Sequence, residues 1–149
     1  MKTKVNEISL KYRGNFKVKE TPKISSSLDA MNIFCSQWDK DKIAMQECFK
    51  LLLLNNSNRV KGIVEISSGG ITGTLVDLRI IFAVALKSLT TALIIAHNHP
   101  SGNLQPSEND KKLTSKIKEA GNLLDIRLLD HLIITPEGKY FSFADEGIL

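Results

Sequence analysis

The stretch "ALIIAHNHPSGNLQPSENDKKLTSKI", residues 92–117, decides the fold. It opens with five apolar residues, Ala92–Ala96, too few for a helix and well suited to a buried strand. It then sets down two imidazoles, His97 and His99, around Asn98. Residues i and i+2 of a strand point to one side, so the two rings share a face at the strand's end. Pro100 keeps His99 out of helical geometry. A polar loop follows, in which Gly102 permits a turn that a Cβ would hinder. Pro106 and Ser107 then open a helix. Leu113, Ile117, Ala120 and Leu124 recur at helical spacing along it.

Ser107 and Asp110 form a Ser-x-x-Asp start that resembles a capping box. Two readings of Asp110 stand side by side. In one it only caps the helix and favours its N-terminal dipole. In the other it leans off the first turn and joins His97 and His99 on a metal. Zinc takes imidazole nitrogen at about 2.0–2.1 Å and accepts carboxylate oxygen as well. Two histidines and one acid leave a fourth position for water. Asn98 lies between the ligands, faces the other way, and is expected to hold the neighbouring loop through backbone bonds. His131 follows Asp130 in the apolar strand "RLLDHLIIT". Neighbours in a strand face opposite sides, so these two are a poor joint ligand pair. His131 reads as a core histidine or as support for the site.

The rest of the chain alternates strands and helices. "VNEISLKY" reads as an edge strand. "SSLDAMNIFCSQW" reads as a helix capped by Ser27, with Leu28, Met31, Phe34, Cys35 and Trp38 on its apolar face. "DKIAMQE" is a connector. Cys48–Leu54 and Val60–Ile66 form a hairpin turning through Asn55–Asn58. "SSGGITG" is a loop without the GK[ST] of a phosphate-binding motif. Val76–Ser88 is a helix, "TALIIAH" a central strand, and "KYFSFADEGIL" the close. Alternation of this kind predicts one α/β domain, a mixed β-sheet flanked by helices.

The 149 residues suit a single core. No apolar run is long enough for a membrane span. The first residues show no apolar signal core, and the expectation read from them is a cytoplasmic protein. Cys35 and Cys48 lack a CxxC pattern and read as reduced thiols. Charge is uneven. Residues 1–23 hold seven Lys or Arg against Glu7 and Glu20, a local +5 that leaves −1 of the formal +4 for the remainder. Lys11, Arg13 and Lys17 stand among Tyr12 and Phe16, a composition able to contact DNA phosphates and equally able to be a solvated surface. Nothing in the sequence fixes an oligomeric state.

His-x-His-Pro, then the seven residues Pro100–Pro106, then Ser-x-x-Asp, resembles the JAMM motif of the JAB1/MPN metalloprotease superfamily. The longer run through "LDHLIIT" resembles the bacterial RadC-like proteins of that superfamily. The likeness covers residues 40–149. Residues 1–39 are taken as a basic strand and helix of the same domain. The resemblance implies one zinc ion held by His97, His99 and Asp110. It implies Glu47 as general base and Ser107 as a hydrogen-bond donor to water or to a developing oxyanion. The activity implied is hydrolysis of a peptide or isopeptide bond in a protein substrate. At Arg79 the usual pattern has a proline just before the arginine, where this chain has Leu78. Arg79 is therefore a candidate both for supporting the site and for a surface role. The rival function is a non-catalytic DNA-repair accessory module, in which the basic arm binds nucleic acid. A non-catalytic protein-binding domain is a third reading.

Overall fold

The computed structural model describes residues 4–9, 11–70 and 75–149. Its regular elements are α1 (Ser27–Gln37), β1 (Cys48–Leu54), β2 (Val60–Ser68), α2 (Leu78–Lys87), β3 (Ala92–Asn98), α3 (Glu108–Leu123), β4 (Arg127–Ile134) and β5 (Tyr140–Ser142), with a 3-10 turn at Val18–Glu20. The strands form one sheet in the order β2-β1-β3-β4-β5. Only β3 and β4 run parallel, joined through α3, as a parallel pair requires a crossover. The sheet is therefore mixed.

The period-2 alternation of β1 and β3 splits the core into two layers. Leu52, Leu54, Ile94 and Ala96 face α1 and pack on Met31, Phe34 and Trp38. Leu51, Leu53, Leu93 and Ile95 face the other way, onto Ile81, Phe82 and Ala85 of α2 and Ile117 of α3. Both central strands are buried throughout, which explains why they read as unbroken apolar runs.

Several boundaries differ from the sequence reading, each for a local reason. Ser26, not Ser27, caps α1: its backbone is extended and its side chain accepts from the Asp29 amide. The Ser27 hydroxyl instead meets the Tyr140 hydroxyl and donates to Asp145. Leu28 is exposed, because it falls on the outer side of α1. Helix α2 begins at Leu78 because Asp77 caps it, accepting from the Arg79 amide. No strand forms in the described part of residues 5–12; Val5 and Ile8 are almost fully exposed, so pairing there would bury nothing. The turn after β1 contains Asn58 at φ +56°, the left-handed geometry an asparagine tolerates. Residues 71–74 of the glycine-bearing loop lie outside the described residues.

Candidate metal centre

The sheet delivers the two histidines to the end of β3, where its side chains leave the core. His97 faces the α2/α3 layer, stacked against Phe49 of β1. His99 lies just past β3, and its amide still donates to the Ile134 carbonyl of β4 (2.9 Å). The chain then turns, with Gly102 at φ +82° donating back to the His99 carbonyl. The loop returns to the same spot at the N-terminus of α3.

There Asp110 performs two jobs with two oxygens. Its Oδ2 accepts from the Ser107 amide (2.8 Å), while the Asp110 amide donates to the Ser107 hydroxyl oxygen (3.0 Å). That is a closed capping box. Its Oδ1 lies 3.4 Å from His97 Nε2, and Oδ2 lies 3.7 Å from His99 Nε2. The two Nε2 atoms are 3.0 Å apart.

These three spacings provide a test of fit. Tetrahedral zinc with bonds of about 2.05 Å has ligand–ligand edges of about 3.3 Å. The two Nε2 atoms at 3.0 Å lie close to that edge, and Asp110 meets them with different oxygens, Oδ1 at 3.4 Å from His97 and Oδ2 at 3.7 Å from His99; one donor atom from each residue falls within 4.8 Å of the others. The set is chemically suited to zinc, with two imidazole nitrogens and a carboxylate oxygen. Among the described residues it is the one group of three such side chains able to hold a metal ion.

Electrostatics agree with a cation site. Burial alone would raise the Asp110 pKa, but when the rings carry protons the hydrogen bonds from His97 and His99 and the charge of His97, together with the Ser107 amide, overrule it and hold the carboxyl far below the usual range. Burial pulls the His99 pKa down, yet Asp110, the Asn103 carbonyl and the charge of Glu47 outweigh it, and the net shift is upward. The His99 ring is itself oriented, with Nδ1 2.5 Å from the Asn103 carbonyl.

Glu47 immediately precedes β1. In the β1/β3 ladder Phe49 pairs with His97 and Lys50 with Ala96. Continuing that register by two residues sets Glu47 opposite His99, on the same face. Asn98 faces away from this side, fully buried. Its Oδ1 accepts from the Cys48 amide (2.7 Å), and its Nδ2 donates to the carbonyls of Ile43 (2.7 Å) and Gln46 (2.9 Å). Asn98 thus ties down the segment that carries Glu47.

The other candidate residues fall in different places. His131 is buried behind the cluster, its Nε2 2.8 Å from His97 Nδ1. Asp130 turns to the α1 side and accepts from Ser142 and from the amides of His131 and Ala144. Arg79 is exposed and forms an ion pair with Asp77 of its own helix cap, at 2.9 Å, rather than joining the cluster. Lys11, Arg13 and Lys17 are exposed. Arg13 lines a cavity of about 350 Å³ with Asn55, Val60 and Lys61, at the turn end of the hairpin. That end is separated from Phe49 by the length of β1, about 20 Å at 3.3 Å per residue. Sequence reading missed two partners. Thr114 could have been found, because it lies four residues after Asp110 on the same helical face. The Asn103 carbonyl could not, because a backbone group leaves no trace in residue type.

The family profile described as RadC-like JAB domain matches residues 24–148. The chain belongs to the RadC-like JAB-domain family. A UPF0758 protein of Flavobacterium johnsoniae is 52% identical over 126 residues, covering 85% of this chain and 53% of that protein. One from Porphyromonas gingivalis is 49% identical over 104 residues, 70% of this chain and 46% of the relative. A third, from Clostridium botulinum, is 37% identical over 145 residues, 97% of this chain and 61% of the relative. The chain thus spans about half the length of these relatives. Among the described residues no helix is long and apolar enough to cross a membrane.

Proposed function

We propose that this domain is a zinc-dependent hydrolase of peptide or isopeptide bonds, with His97, His99 and Asp110 as metal ligands. One observation carries the reading: one donor atom each from His97, His99 and Asp110 converges within 4.8 Å, and the charge of Glu47 acts on His99. Zinc bound there supplies Lewis acidity, which lowers the pKa of water and polarises a carbonyl. Glu47 takes the proton from the attacking water and passes it to the leaving nitrogen. The Ser107 oxygen already accepts the Asp110 amide. Its own O–H is therefore free to donate where negative charge develops on the substrate oxygen. His97 is buried and Asp110 half-buried, while Ser107 and the loop residues Ser101, Asn103 and Gln105 are exposed to solvent. Arg13 of the basic arm lies at the far end of β1, away from this chemistry.

Elemental analysis of protein purified without chelator or a histidine tag tests the site. The wild type should hold about one zinc per chain. His97→Ala and Asp110→Ala should lose it. Glu47→Gln should keep the metal and lose roughly a hundredfold or more in turnover of a peptide or isopeptide substrate. Equal turnover in Glu47→Gln sinks the mechanism, and a metal-free wild type after zinc is offered sinks the site.

A further inference from the structure

Behind the cluster lies a hydrogen-bonded series that the proposed chemistry does not use: Asp110 carbonyl, Thr114 hydroxyl, His131 ring, His97 ring. Thr114 Oγ1 is 2.6 Å from the Asp110 carbonyl and 2.6 Å from His131 Nδ1. His131 Nε2 is 2.8 Å from His97 Nδ1. Thr114 and His131 are both buried, and His131 is held between Phe49 and Phe143.

The direction of each bond follows from one fixed end. A carbonyl only accepts, so the single Thr114 proton goes to Asp110. The Thr114 oxygen is then the acceptor for His131, and the proton of that ring sits on Nδ1. A wholly buried ring whose hydrogen-bond partners include no carboxylate stays neutral. His131 Nε2 therefore carries a lone pair and accepts, which places the His97 proton on Nδ1. The nitrogen left facing Asp110 and His99 is His97 Nε2, which in the neutral ring carries the lone pair that a metal needs. His99 reaches the same state by another route, donating from Nδ1 to the Asn103 carbonyl.

The sheet contains a local device that makes this possible. Leu93 pairs with Leu128, but Ile94 pairs with Asp130, so Leu129 is an extra residue in β4. Without that bulge the parity of β4 would turn His131 toward α1. With it, His131 turns toward α3 and meets His97. Bulges are used elsewhere to re-aim a side chain beside a site.

We infer that Thr114 and His131 are positioning residues that lock the His97 ring in the Nδ1–H tautomer, presenting Nε2 to the metal. The inference rests on the zinc reading and adds to it the outer partners that set ligand direction. Such partners are commonly worth roughly tenfold to a hundredfold in metal affinity.

Two measurements test it. Long-range ¹H–¹⁵N NMR of the metal-free protein at mildly alkaline pH reports ring tautomers directly. His97 and His131 should both show Nδ1–H; an unprotonated Nδ1 at either ring, or Nε2–H at His131, overturns the relay. Zinc affinity by competition with a chelating dye is the second readout. Thr114→Val should lose roughly tenfold or more, Thr114→Ser should retain wild-type affinity, and His131→Phe should lose at least as much as Thr114→Val. Full affinity in Thr114→Val, or loss in Thr114→Ser equal to that in Thr114→Val, overturns the inference. The two failures are separable. No zinc uptake by the wild type overturns the metal reading and with it the relay's purpose. Uptake by the wild type with the wrong tautomers overturns the relay alone.

Discussion

Replacing Asn98 should separate the proposed base from the metal ligands, although it sits between two of them. Asn98→Ala removes three hydrogen bonds of 2.7, 2.7 and 2.9 Å. The Ile43 and Gln46 carbonyls border a half-buried segment, where water can replace the lost donor, so each bond costs about 1 kcal/mol. The Cys48 amide starts a fully buried strand. Leaving it unpaired costs about 2 kcal/mol. The expected loss is about 4 kcal/mol, a large share of the roughly 5–15 kcal/mol of a typical domain. Asn98→Asp conserves shape and keeps an acceptor for Cys48. It also aims a carboxylate at two carbonyls, so at neutral pH it should cost as much as Asn98→Ala. Urea denaturation measures both. Hydrogen exchange at the Cys48 amide should accelerate before any global opening, and Glu47-dependent turnover should fall. Zinc content should persist, because His97 and His99 are oriented by His131 and the Asn103 carbonyl instead. A loss under 1 kcal/mol in Asn98→Ala, or an Asn98→Asp protein clearly more stable than Asn98→Ala, refutes the reasoning.

Other perturbations have equally direct outcomes. A Cβ on Gly121 would lie 2.3 Å from the Ile126 carbonyl oxygen, so Gly121→Ala should destabilise by about 1–3 kcal/mol in urea denaturation, and a neutral effect would show that α3 and β4 can part freely. Burial raises the Asp130 pKa above its ordinary value of 3.8, against the opposing bonds from Ser142, Ala144 and His131. The folded state then holds its proton more tightly than the unfolded state, and the stabilisation present below 3.8 is lost as pH climbs through the raised value. Asp130→Asn removes that loss, so its stability relative to wild type should improve as pH rises from the acid side; a flat difference in denaturation midpoints would contradict the shift. Replacing Lys11, Arg13 and Lys17 together by alanine should leave zinc content unchanged, and metal loss would show that the arm reaches the cluster.

The strand-to-helix passage at residues 92–117 was legible because each step has its own local signal. The apolar run gives β3, Pro100 ends it, and Ser107 opens α3. Other parts were not legible, for identifiable physical reasons. "VNEISLKY" carries strand-forming residues, but a strand needs a partner edge, and sequence alternation does not supply one. The cap of α1 slipped by one residue because three consecutive serines offer the same hydroxyl, and only Asp29 decides among them. Placing Glu47 within the family pattern needed the resemblance, since several glutamates were equivalent on local grounds. The structure shows the charge of Glu47 acting on His99, a proximity that local sequence does not encode. His131 was the hardest to read. Its facing depends on the extra residue at Leu129, and a bulge in a parallel pair shifts every later side chain without any change in apolar pattern.

The end of β3 joins the two faces of the sheet in one tripeptide. His97 and His99 point into the α2/α3 layer, where α3 brings Asp110 and Thr114 and β4 brings His131. Asn98 points into the α1 layer and fastens the chain from Ile43 to Cys48. The proposed ligands and the proposed base therefore come from separate elements, held by separate bonds, yet both are referenced to the same backbone. A rigid central strand can fix their separation only if neither side chooses its own register. Asn98 meets that condition for Glu47, since a one-residue slip of β1 would break all three of its bonds. The bulge at Leu129 meets it for His131, since parity alone would send that ring to the wrong layer. The cost of each device is local: a buried amide that must stay fully bonded, and one residue that interrupts a ladder. The bulge sits at Leu93–Ile94, upstream of the cluster, and the pairing of β3 with β1 runs without one.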